Sequence, residues 1–207
     1  PLKDRNDSWH NLLSGLGTAR DKSTYTHIKP NDRFPPDYAE QLYVSDDIAG
    51  RICDLVPNEM LRQGFSITVN DEDFTWCGLA ETWLDALVKA LIFGAAFIYI
   101  GAEGGQAQEQ PLIVQRVKGV RFLNVLTTKE ICHQSFYTDP NSANFGKAEL
   151  YRLNRSAHDR ATVIHESRLL PFFGSPSLNH HQFPPSILQR IYPVLQQFHT
   201  AWQATAH

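Results

Sequence analysis

One methionine, three cysteines and no apolar stretch long enough to cross a bilayer are the scarcities of this chain, and each closes off a class of protein. Cys53, Cys77 and Cys132 are far apart, odd in number and never in a C-x-x-C pair, so neither a disulfide framework nor a zinc knuckle is indicated. They read as core or surface thiols in a reducing compartment. The longest apolar run, Leu87 to Ile100, is interrupted by Lys89 and Gly94 and falls short of the ~20 residues a spanning helix needs. No charged-apolar-small signal segment opens the chain, which points to a cytoplasmic setting and no membrane contact. Excess positive charge is missing too. With 19 basic and 22 acidic residues the net charge is -3, which argues against tight DNA binding through a broad basic face. A wall past which DNA slides remains compatible with this balance, because strong phosphate contacts would impede movement.

Motifs for chemistry are equally sparse. The sequence has no G-x-S-x-G elbow, H-E-x-x-H helix or Walker pair. Gly101, Gly104 and Gly105 lack the Lys-Ser/Thr of a phosphate loop and read as a plain turn. His180 and His181 sit in a Pro-flanked loop without nearby carboxylates or a Cys pair, so they read as solvated. Asp46, Asp47 and Asp54 read as a solvated helix face, since buried charge needs a partner. No metal or cofactor is expected. The best case for catalysis is the pair of triplets His133-Gln134-Ser135 and His165-Glu166-Ser167, because two-histidine phosphoesterases set such motifs on facing strands as acid and base. About one such triplet is expected by chance in a chain this rich in His and Ser, so the match alone has little weight.

What is present is an ordinary globular composition, 42% apolar and 20% charged over 207 residues, enough for one core or two small ones. Residues 1–36 are polar and broken by Gly15, Gly17, Pro30, Pro35 and Pro36, as in an extended arm. From Asp37 the spacing of Ile48, Ile52, Leu55 and Val56 predicts a helix with that stripe buried, Ser45 as N-cap and Pro57 as a break or kink. Phe65 to Val69 alternates like a half-buried strand. A second helix is predicted after the acidic cluster Asp71, Glu72 and Asp73, with Trp83, Leu87, Ala90 and Leu91 buried and Gly94 as its C-cap. Ala95 to Ile100 then reads as a strand buried on both faces. Leu112–Val114, Val120–Leu126, Ile131–Tyr137, Leu150–Leu153 and Ala161–Leu170 read as further strands, with a turn at Asp139-Pro140-Asn141-Ser142. Ser186 caps a final helix whose stripe is Leu188, Ile191, Leu195 and Phe198, with a kink expected at Pro193. The expectation is an α+β fold: a small mixed or antiparallel sheet with packed helices, ending in a long C-terminal helix.

Several segments, in order, resemble one family. The strand Ile164-His165-Glu166-Ser167-Arg168-Leu169-Leu170, its loop and the helix Ser186-Ile187-Leu188-Gln189-Arg190-Ile191-Tyr192 are similar to the N-terminal half of phage and prophage portal proteins. So are the opening helix over 38–65, the step Ala90 to Gly101 and the loop Tyr137 to Tyr151, the matches together covering about 170 of the 207 residues. This is the portal family grouped beside anti-CBASS-like proteins.

The resemblance implies an arm over 1–36, a wing-like α+β domain over 37–185 and the start of a stem helix over 186–207. It further implies a structural, non-enzymatic head-tail connector in the virion, assembled in the host bacterial cytoplasm. Its partners would be its own copies in a dodecameric ring, a terminase packaging motor, a head-tail adaptor and capsid or scaffold proteins. Double-stranded DNA would pass through the ring without sequence-specific binding. Arg168, Phe198 and Trp202 are the residues this implies for contacts between subunits, Arg168 as a surface residue or as an anchor for a neighbour's carboxylate. Family members continue into further stem, clip and crown segments, and the start at Pro1 points to a longer gene product, so a fragment or a truncated prophage remnant is an alternative. A further alternative is a phage-encoded two-histidine phosphodiesterase directed against host defence.

Overall fold

The computed structural model describes residues 34–64, 67–69, 72–74, 79–104, 106–154, 162–176 and 182–205. Their order is α1 (Pro36–Ser45), α2 (Asp47–Leu61), β1 (Ile67–Val69), β2 (Glu72–Phe74), α3 (Leu79–Phe93), β3 (Ala95–Glu103), β4 (Gly119–Thr127), β5 (Ile131–Phe136), β6 (Ala148–Leu153), β7 (Val163–His165), β8 (Leu169–Phe173) and α4 (Ile187–Thr205). Phe34–Arg190 forms one compact unit, and the residues from Ile191 onward belong to another. The fold is α+β, as expected, and every strand pairing is antiparallel. Most of the arm expected over 1–36 lies outside the described residues; Phe34 is buried and Pro36 opens α1, a position where its missing N–H is not needed.

β3 organises the first unit because its continuous apolar run can be buried on both sides. It is the middle strand of β4-β3-β8, and its first five residues are buried. Ala95, Phe97 and Tyr99 point one way, where with Leu126 and Leu169 they meet Ile131, Leu153 and Ile164 of the sheet β5-β6-β7. Ala96 and Ile98 point the other way, and α3 packs on β3. Pro171 is tolerated because β8 is an edge strand. Gly94 has φ +89°, and a Cβ there would lie 2.0 Å from the Pro184 carbonyl oxygen, so both backbone and space demand glycine at this C-cap.

Several expectations need correction. On α2 the buried residues are Ala49, Cys53 and Pro57, while Ile48, Leu55 and Val56 are exposed. The buried face of α2 is made of small side chains, and α2 packs against α1 and α3. The N-cap is Asp46, whose carboxylate accepts the Ala49 N–H at 2.8 Å, rather than Ser45. Pro57 lies within α2, and the helix continues to Leu61. Glu72 and Asp73 belong to β2, paired with β1, rather than to a helix start; α3 begins at Leu79. On α3, Ala86, Ala90 and Ile92 are buried, whereas Trp83, Leu87 and Leu91 are half-buried. Leu112–Val114 is not a strand: the Leu112 and Ile113 N–H groups donate to Ser167 Oγ and Gln106 Oε1, and Val114–Arg116 is a 3-10 turn.

Ala161–Leu170 is likewise not one strand. It divides into β7, a 3-10 turn at Glu166–Arg168, and β8, so the chain leaves one sheet and enters the other. At the C-terminal end Ser186 Oγ accepts the Leu188 N–H at 3.1 Å, the expected cap. Leu188 is fully buried in the first unit. In the second unit Leu195 is buried, Phe198 and Trp202 are 48% and 65% exposed, and α4 runs past Pro193 to Thr205.

Candidate functional site

The turn Glu166–Arg168 is where the sequence motif becomes geometry. His165 ends β7 and caps the turn, its Nδ1 accepting the Ser167 backbone N–H at 3.1 Å. A nitrogen that accepts carries no proton, so Ser167 Oγ, 2.9 Å away, donates to the same Nδ1, and in the neutral ring the proton sits on Nε2. Nε2 faces the Tyr137 hydroxyl at 3.5 Å, and that hydroxyl donates to Glu166 Oε1 at 2.8 Å. Burial and the adjacent Glu166 carboxylate push the Tyr137 phenol up to about 12.

The same turn grips the loop that follows β3. His165 N–H donates to the Gln108 carbonyl at 2.9 Å, Ser167 Oγ accepts from Leu112 N–H at 2.8 Å, and Arg168 Nη2 donates to the Ala107 carbonyl at 3.2 Å. Three contacts of β7 and its turn thus hold one loop in place. Arg168, expected at a surface or a subunit contact, is 4% exposed here, and its buried Nε has no hydrogen-bond partner among the described residues. Beside it is a small recess lined by Gly104, Gln106, Leu112 and Arg116.

The two-histidine arrangement is not assembled. His133 pairs with Tyr151, and Tyr151 with Ile164, so these side chains share one face of β5-β6-β7. His165 pairs with Leu150 and therefore points from the opposite face. His133 packs its ring 4.2 Å from that of Phe183 and 5.3 Å from that of Tyr151, against the core. His133 lies on β5 and His165 on β7, with β6 between them.

Other candidates resolve simply. Asp46 is the N-cap of α2, Asp54 accepts the Tyr43 hydroxyl at 2.8 Å, and Asp47 is exposed. Among the described residues no group of three or more His, Cys, Asp or Glu is placed to hold a metal. Gly101 lies in β3, where a Cβ would strike the Phe122 ring; Gly105, His180 and His181 lie outside the described residues. Among those residues no helix is long and apolar enough to cross a membrane. Sequence reasoning missed Tyr137, Glu166 and Ser167 as a network. The i, i+2 spacing of His165 and Ser167, which suits a local cap, was the available signal.

The sequence model for phage portal proteins matches residues 38–207, from α1 to the last residue, and the chain belongs to that family. It is also 27% identical over 208 residues to the Anti-CBASS protein Acb1 of Caulobacter sp. (strain RHG1), covering 92% of this chain and 32% of that protein. A relative of the same name from Sphingomonas paeninsulae is 27% identical over 179 residues, 82% of this chain and 28% of that protein. The chain spans about a third of the length of these curated relatives.

Proposed function

We propose that this chain is the wing region and first stem turns of a portal, a structural part of the ring through which phage DNA is packaged and ejected. The observation that carries this reading is the family match running unbroken through α1 to α4. We assign residues 37–185 to the wing and 186–207 to the start of the stem. Phe198 and Trp202, exposed and with stacked rings 6.4 Å apart, offer an apolar surface of the kind that neighbouring subunits cover. The working location is the virion, with terminase, adaptor and capsid or scaffold proteins as partners. Negative-stain microscopy of the purified chain tests it: ring-shaped particles are expected, and a monomer at every concentration overturns the assembly role.

A second reading, an anti-defence phosphodiesterase, draws on the names of the two relatives. It would need a pair of imidazoles other than His133 and His165, which stand on opposite faces of their sheet. Hydrolysis of cyclic oligonucleotides by the purified chain would favour it over the portal reading.

A further inference from the structure

We propose that the recess with Arg168 in its wall and Arg116 at its rim is an oxyanion socket that receives one oxygen of a carboxylate or phosphate group. The argument begins with a charge that lacks compensation. Arg168 is 4% exposed, yet its hydrogen bonding among the described residues consists of one backbone carbonyl, and its Nε has no partner. Burying a guanidinium is strongly unfavourable without a paired anion and satisfied N–H groups, and a planar fork of donors is matched best by an oxyanion. No carboxylate of the described residues forms an ion pair with Arg168 or Arg116. Glu166, the nearest in sequence, is engaged by Tyr137.

The recess is shaped for a small group. Its volume of about 10 Å³ matches a single water-sized atom, so one oxygen enters while the rest of the anion stays outside beside exposed Arg116. Gln106, whose Oε1 accepts the Ile113 N–H, carries no charge and so does not neutralise the site. Gly104 keeps the wall in place: a Cβ there would lie 2.7 Å from the Arg116 carbonyl oxygen. Loop and turn are tied by the His165, Ser167 and Arg168 bonds, so the socket is held ready before any anion arrives.

Two sources offer this chemistry, a free small anion and an Asp or Glu of a second copy; the latter rests on the assembly reading. Calorimetric titration of the full chain with inorganic phosphate, and separately with acetate, at constant ionic strength tests both. Monomer and any assembled fraction, separated by size exclusion, are titrated side by side. The monomer should bind at least one of the two anions, and Arg116→Gln, an exposed change that leaves the fold alone, should bind it about tenfold more weakly. Arg168→Met should abolish binding, with circular dichroism reporting whether it folds; Arg116→Gln decides the matter if it does not. Binding by the monomer that is lost in the assembly identifies a second copy's carboxylate as occupant, and binding retained in both identifies a free anion. If no assembly forms and the monomer still binds through Arg116, the socket stands while the assembly reading fails. A monomer that binds neither anion, or binds equally well as Arg116→Gln, overturns the socket.

Discussion

His133 and His165 stand on opposite faces of one three-stranded sheet, with a strand between them. A general acid and a general base must reach one substrate from within hydrogen-bond distance, and a sheet between the two imidazoles prevents that. Purified protein is therefore expected to leave cyclic dinucleotides intact in an overnight chromatographic assay. Turnover that vanishes in both His133→Ala and His165→Ala would reverse this conclusion.

Phe97 is 1% exposed at the centre of the core, surrounded by Tyr151, Phe173 and Phe183. Phe97→Ala should destabilise the fold by about 3–5 kcal/mol in urea unfolding, whereas Leu55→Ala, at an exposed site, should stay within about 0.5 kcal/mol. Equal losses at both positions would mean that the face of α2 is misassigned.

Asp46 offers a cleaner local test. Its carboxylate holds the Ala49 N–H, and Asp46→Ala should lower stability by about 1 kcal/mol, with Asp46→Asn retaining most of it. Ser45→Ala should be nearly silent, and a larger effect at Ser45 than at Asp46 would contradict the cap.

Alkali should loosen the fold. Tyr43, Tyr137 and Tyr151 are each pushed from 10.0 up to about 12, mainly by burial, with the Asp54 carboxylate adding to the effect at Tyr43 and Glu166 at Tyr137 and Tyr151. A phenol that ionises later in the folded than in the unfolded chain contributes stability that is fully present below pH 10.0 and is lost as pH rises toward about 12. Denaturation midpoints should fall across that window, and Tyr137→Phe should reduce the slope. A flat profile in the wild type would show that the phenols are not shielded.

What the sequence revealed, and what it hid, follows the range of the forces involved. β3 was legible because a run such as Ala95 to Ile100 has few alternatives to burial on both faces, and the caps at Gly94 and Ser186 were legible because capping is local. The face of α2 was not: large apolar residues mark what can be buried, but the buried face carries Ala49 and Cys53. The turn within Ala161–Leu170 was hidden because it depends on bonds from His165, Ser167 and Arg168 to a loop more than fifty residues earlier. The portal family was legible through the order of several short motifs; the buried position of Arg168 was not, because burial depends on what the rest of the chain brings over a residue.

The passage of one stretch of chain from β7 to β8 through Glu166–Arg168 has a mechanical meaning. The two sheets are joined by that turn and by residues 128–130 between β4 and β5, so a force that shears one sheet across the other strains both short links together with the turn's bonds to the loop after β3.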